Sequence, residues 1–182
     1  MSKTHLVILL LVSLGLPTIA LAQSASSARA ELTFDQGAMI ELDPDSLTVD
    51  GRLALSLYSD EGFGASIRLG SSLGSDVRVS VDLGPAFSFS VWENDTVAVR
   101  ATLGAGARFD WGTGGSRARF GFSEVTLAGF YGRASLDIAI ERWVLGIGFD
   151  GGAMFQVGDT QDPFGPSPRL NPFVRVGGSF DL

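Results

Sequence analysis

The sequence predicts an all-β chain, an eight-stranded antiparallel up-and-down transmembrane β-barrel after a cleaved signal peptide. Three observations carry this. Apolar and polar residues alternate with period two along eight runs, the mark of strands with two unlike faces. The polar faces are mostly Gly, Ser, Ala and Thr with scattered Arg and Asp, a set that fits the cramped inside of a narrow barrel. Trp92, Trp111 and Trp143 all sit at run ends, where aromatic belts collect at the two membrane interfaces.

The elements follow in chain order. Residues 1–22 read as a signal peptide: Lys3, an apolar run from Leu6 to about Leu16, the breaker Pro17, and the small-residue site Ala20-Leu21-Ala22 before Gln23. The apolar run is short for a membrane span. Residues 23–29 read as a loose mature N-terminus and 30–182 as the barrel. The leader sends the chain out of the cytoplasm, through the general secretory pathway, and suggests a bacterial, Gram-negative cell envelope.

In the first run Leu32, Phe34, Ala38 and Ile40 share one face, and Glu31, Thr33, Asp35 and Glu41 the other, with Met39 an apolar exception. The second sets Leu47, Val49, Leu53, Leu55 and Leu57 against Thr48, Asp50, Arg52, Ala54 and Ser56. The third sets Phe63, Ala65, Ile67 and Leu69 against Gly64, Ser66, Arg68 and Gly70. The fourth runs from Val77 to Val91 with Arg78 and Asp82 on its polar face, and Gly84-Pro85 predicts a bulge or bend within it. The fifth alternates without a break from Val97 to Trp111, with Arg100, Arg108 and Asp110 on the polar side. The sixth, from Ala128 to Ile140, carries Arg133 and Asp137; the seventh, from Trp143 to Val157, carries Asp150. The last sets Val174, Val176, Phe180 and Leu182 against Arg175, Gly177, Ser179 and Asp181. Residues 112–125 either form a loop or extend the sixth strand as a hairpin, since Ala118, Phe120 and Phe122 alternate there too.

The runs, about 10–16 residues long, suit a tilted bilayer crossing better than a soluble sandwich. With the N-terminus in the periplasm, the periplasmic turns at 58–61, 93–95 and 141–142 are short. The two longest connections, 112–125 and 158–172, then both fall outside, as in outer-membrane barrels.

Composition bounds the chemistry. The 182 residues are 45% apolar and 18% charged, enough for one ordered domain and too apolar for a disordered one. There is no Cys, which excludes disulfides, thiol catalysis and Cys-ligated metal. The one His, His5, and the one Lys, Lys3, lie in the leader, so the mature chain carries neither. It holds 12 Arg against 20 Asp plus Glu, a balance of −8 that disfavours nucleic acid. Without His, Lys or Cys, an enzyme would have to work with carboxylates alone, Asp82, Asp137 and Asp150 being the candidates. We therefore expect no enzyme and no cofactor.

The charges on the polar faces define a candidate lumen network: Arg52, Arg68, Arg78, Asp82, Arg100, Arg108, Asp110, Arg133, Asp137, Asp150, Arg175 and Asp181. An eight-stranded barrel leaves room for little more than side chains, so the network is expected to fill the lumen rather than line a pore. A gate that leaks ions when a pair opens is the alternative. Arg117 and Arg119, in the 112–125 connection, are candidates to meet lipopolysaccharide phosphates, or are plain solvated charge. Phe164 and Arg169 sit in the proline-rich 158–172 connection as candidate surface contacts. Asp43-Pro44-Asp45 has too few ligands for a calcium loop and reads as a turn.

The strand number, the loop asymmetry and the terminal segment Phe173–Leu182 resemble the small eight-stranded outer-membrane β-barrels, similar to the OmpA membrane domain or OmpX. The resemblance covers about residues 30–182 and implies an outer-membrane location. It also implies recognition of the last strand by the barrel-assembly machinery, with Val174, Val176, Phe180 and Leu182 matching the alternate apolar positions. The family usually closes on an aromatic residue, where this chain closes on Leu182. The expected neighbours are outer-membrane lipid and lipopolysaccharide, and the expected state is a monomer. The alternatives are a narrow porin-like ion channel and a soluble periplasmic barrel or sandwich with its apolar face inward, binding an apolar ligand.

Overall fold

The computed structural model describes residues 28–42, 45–73, 76–114, 124–156 and 167–182. Eight strands form there: β1 (Ala28–Leu42), β2 (Asp45–Ser59), β3 (Phe63–Leu73), β4 (Asp76–Glu93), β5 (Val97–Gly114), β6 (Glu124–Ile140), β7 (Trp143–Gln156) and β8 (Ser167–Asp181). Each pairs antiparallel with the next, and β1 pairs with β8, so the sheet closes on itself in the order β1-β2-β3-β4-β5-β6-β7-β8. Closure leaves no unpaired sheet edge, which a bilayer requires because its core holds no water to satisfy backbone groups. Residues 1–22, expected to be a leader, Asp43-Pro44 and most of the two long connections, with Arg117, Arg119 and Phe164, lie outside the described residues.

Period two decides the faces. Leu53, Leu69, Leu103, Phe130, Ile147 and Val174 are each at least half exposed, as are many of their neighbours on the same outer face. The interior is the polar side: Arg52, Arg68, Arg108, Asp82 and Asp150 are at most 2% exposed. A water-soluble fold inverts this arrangement. Met39, Leu127 and Met154 are the apolar exceptions that point inward near the outer end. Trp92 and Trp143 stand exposed at one end of the barrel and Trp111 toward the other, one set at each rim of the apolar belt.

Two local expectations are corrected. Gly84-Pro85 makes no bulge: the β3–β4 register runs straight through Ala65↔Pro85 and Ser66↔Gly84. Pro85 points outward, while Gly84 lets β4 lie close against the backbone of Ala105 and Gly106. The register shift falls lower, between Ser90 and Trp92, and turns Trp92 outward at the belt. The second correction is the start of the last strand. β8 begins at Ser167, so Pro168 and Pro172 lie within it. Both point outward, in phase with Leu170 and Val174, and the ladder to β1 is interrupted opposite Asn171 and Pro172.

At the end that carries both described chain ends, labelled periplasmic after the orientation expected from the sequence, the turns are tight. In the β2–β3 turn Gly62 has φ +86°, and a Cβ there would strike the carbonyl of Ser88. Gly62→Ala is therefore expected to cost at least about 1–2 kcal/mol, read as an earlier urea midpoint for unfolding from lipid vesicles. In the β4–β5 turn the Asn94 side chain accepts from the backbone N–H groups of Thr96 and Val97, at 3.0 and 2.8 Å.

Candidate functional site

Charged side chains project into the lumen in layers. The middle layer sets three guanidiniums, Arg52 (β2), Arg68 (β3) and Arg108 (β5), against three carboxylates, Asp50 (β2), Asp82 (β4) and Asp150 (β7). Arg108 holds Asp82 by its fork: Nε donates to Oδ1 at 2.7 Å and Nη2 to Oδ2 at 3.0 Å. Its Nη2 also donates to Asp150 Oδ1 at 3.0 Å. Arg52 Nη1 donates to both Asp82 Oδ2 and Asp150 Oδ2 at 3.1 Å, and Arg68 Nη1 reaches Asp150 Oδ2 at 3.2 Å. Asp50 pairs with Arg52 Nε at 2.6 Å and accepts from Asn171 Nδ2 at 2.8 Å. Tyr131, projecting inward from β6, lies under Arg68, 4.4 Å from guanidinium carbon to ring centroid, and 5.4 Å from Arg108.

Toward the periplasm a second layer sets Arg133 and Arg175 against Asp35 and Asp137. Arg175 Nε donates to Asp35 Oδ1 at 2.8 Å, its Nη1 to Asp137 Oδ2 at 3.1 Å, and Arg133 Nη2 to Asp35 Oδ2 at 2.6 Å. Thr102 and Ser135 also donate to Asp137 Oδ2, and the Arg133 guanidinium carbon lies 4.1 Å from the centre of the Phe173 ring. Toward the outside a third layer sets Arg78 and Arg169 against Glu41 and Asp110, with Arg169 bonded to Asp110 and, at 2.6 Å, to Glu41. At the periplasmic mouth Arg29 and Arg100 share Glu31, at 3.1 and 3.4 Å.

The three inner layers each balance in charge, three against three and then two against two. Most of the bonds join strands that are not neighbours: β2 and β3 to β7, β1 to β4 and β6, and β5 to β7 and β8. A bond across the lumen can form only when both strands have the right register, because a one-residue slip turns a side chain to the other face. Among the described residues every inward-facing Arg has a carboxylate within salt-bridge distance.

These placements bring together most of the charges singled out from the sequence and correct the reading of two residues. Asp181 is exposed at the periplasmic end of β8 and takes no place in the buried layers. Arg169 is no surface-loop contact: β8 starts before it, and the side chain lies 4% exposed inside the lumen. Sequence reasoning also missed Asn171 and the ring partner Phe173. Their signal was present, since Arg169, Asn171, Phe173 and Arg175 continue one period-two phase across Pro172. Tyr131→Leu is expected to lower stability by about 1–2 kcal/mol, read as a shifted urea midpoint, by removing the ring face that two buried guanidiniums share.

No family model matches the chain, and no curated protein matches it either. Solved structures do. It is similar to the outer-membrane enzyme PagL, with a TM-score of 0.55 at 12% identity over 81% of this chain and 97% of that one. It is similar to Neisserial surface protein A, with a TM-score of 0.54 at 8% identity over 85% of this chain and 99% of that one. The attachment invasion locus protein Ail of Yersinia pestis aligns over 86% of this chain and 99% of its own at 15% identity, with a TM-score of 0.48. From its closed sheet, its inverted faces and the likenesses to PagL and Neisserial surface protein A, the chain has the fold of the small eight-stranded outer-membrane β-barrels.

Proposed function

We propose that the protein is a non-enzymatic integral protein of the bacterial outer membrane, exported through the secretory pathway, whose role is envelope integrity or surface interaction. The observation that carries this is the stack of charge-balanced layers closing the lumen. A conducting pore needs mobile charge and water along its axis. Here the guanidiniums of the middle layer are held by carboxylates from across the barrel, with Tyr131 stacked against them. PagL is an outer-membrane enzyme on the same fold, and fold does not carry activity. The described strands of this chain hold no His, Lys or Cys to act as base or nucleophile. Their interior carboxylates Asp82, Asp137 and Asp150 are engaged by arginines. The outer surface has lipid and lipopolysaccharide as its neighbours, and the last strand is the segment read by the assembly machinery.

Two measurements test the reading. The outer-membrane fraction is run unboiled and boiled, with a mobility shift expected for a folded barrel. The purified protein is then added to planar bilayers, where many insertions should give no steady conductance. Recovery of the mature chain in the soluble periplasm would overturn the membrane reading. Steady conductance that changes in Arg108→Ala would overturn the closed lumen in favour of a narrow channel.

A further inference from the structure

The outer face carries one group that lipid does not satisfy. Gln36 of β1 points outward, and among the described residues it is the one amide in the apolar belt. Its outward neighbours along the strand are Leu32 and Phe34 on one side and Ala38 and Ile40 on the other. It stands six residues from Leu42 and eight from Ala28, which on a tilted strand is roughly 15 and 20 Å of height. Its side chain is exposed, and among the described residues it has no hydrogen-bond partner. At that depth lipids of either leaflet offer only hydrocarbon, where an unpaired amide is costly. A glutamine side chain is too short to reach either interface. The group that satisfies it is therefore a polar atom carried to the same depth by protein.

A second copy of this chain meets that condition by symmetry. Copies inserted the same way up are related by a twofold axis along the membrane normal, which sets Gln36 against its own counterpart at the same height. A primary amide carries two donors and an acceptor. Two of them facing across the axis close a pair of N–H···O=C bonds, each amide giving one and taking one. Ser71, also outward, does not share this position, since it lies two residues from the end of β3 at Leu73. The surroundings of Gln36 leave room for approach. Its partner in β2 is Gly51, which has no side chain, and Ala38 above it is small; the larger Phe34 and Val174 stand below it and toward β8.

We propose that the protein pairs with a second copy of itself in the membrane through β1, the two Gln36 amides hydrogen-bonded to each other across a twofold axis. The pair departs from the monomer expected from the sequence. A contact between two narrow barrels is small, so the pairing is reversible and the amides decide whether it forms. The inference rests on the membrane-spanning reading above.

The test keeps the two apart. The chain has no Cys, so Asp95→Cys in the exposed β4–β5 turn gives a single labelling site. Donor- and acceptor-labelled proteins are refolded together into phosphatidylcholine vesicles, and each variant is first checked for the heat-dependent mobility shift that reports a folded barrel. Energy transfer is then followed as the protein is diluted with lipid. The parent protein should show transfer above the level of chance proximity. Gln36→Leu should need about tenfold more protein per lipid to reach half pairing, the worth of two weak hydrogen bonds in a bilayer. Ala38→Phe, which crowds the axis and keeps the amide, should also weaken pairing, and Val79→Phe on β4 should not. Transfer at the chance level in the parent, or equal transfer in the parent and Gln36→Leu, would overturn the proposal. In cells, Ala38→Cys treated with a bifunctional thiol reagent should give a product of twice the chain mass. A product of another mass that disappears with Gln36→Leu would overturn the second copy in favour of a different protein. Absence of the mobility shift in the parent would instead fail the membrane reading itself.

Discussion

Asp150→Ala is expected to destabilise the folded barrel by about 3–5 kcal/mol, the cost of removing one member of a buried charge cluster. Asp150 is 1% exposed and takes hydrogen bonds from Arg52, Arg68 and Arg108. These arginines come from β2, β3 and β5, none of which neighbours β7 in the sheet. The substitution leaves three guanidiniums, each at most 2% exposed, facing two carboxylates. The loss is both electrostatic and topological, because β7 is then tied to β2, β3 and β5 only through its neighbours. Equilibrium unfolding by urea from lipid vesicles reads the effect. Asp150→Asn, which keeps the size and one acceptor oxygen, should lose less, and Asp95→Ala in the exposed β4–β5 turn should stay within about 0.5 kcal/mol of wild type. A loss below about 1 kcal/mol for Asp150→Ala would mean that the sheet ladder alone holds the barrel and the middle layer contributes little.

The faces and the strand count were legible in the sequence because both rest on period two, which is local. β5 shows this best: its alternation from Val97 to Trp111 needs no knowledge of any other strand. What was not legible rests on partners distant in sequence. Arg52 and Asp150 are 98 residues apart, as are Arg133 and Asp35, and which carboxylate each arginine meets depends on the stagger of the closed sheet. The errors had a different cause, the reading of proline as an end. Pro168 and Pro172 read as loop residues, yet both occupy outward positions where the loss of one N–H leaves the side-chain phase intact. Arg169 reads as a surface residue for that reason, although its parity with Arg175 places it in the lumen. Gly84-Pro85 misled in the same way: the glycine is there for close approach of β5, and the bulge belongs to Ser90–Trp92, where an outward tryptophan is needed at the rim.

Leu103→Arg should separate a barrel in lipid from every water-soluble reading of the same alternation. Leu103 lies midway along β5, 51% exposed, paired with Phe87 on one side and Ala134 on the other. On a soluble surface, replacing an exposed Leu by Arg changes stability by no more than about 0.5 kcal/mol. At the middle of a bilayer the same guanidinium must be dragged to an interface or hydrated by a local defect, and the expected loss is about 2–4 kcal/mol. The control is its neighbour in sequence. Thr102 points into the lumen and donates to Asp137, so Thr102→Val removes one buried hydrogen bond and should cost about 1 kcal/mol in either setting. The two residues are adjacent in the chain and opposite in face, so the difference between their effects measures the facing itself. A Leu103→Arg protein as stable as wild type would place that surface in water. The apolar rows that now meet lipid would then need a protein partner or a large ligand to cover them, and the charge layers would have to be explained without a membrane around them.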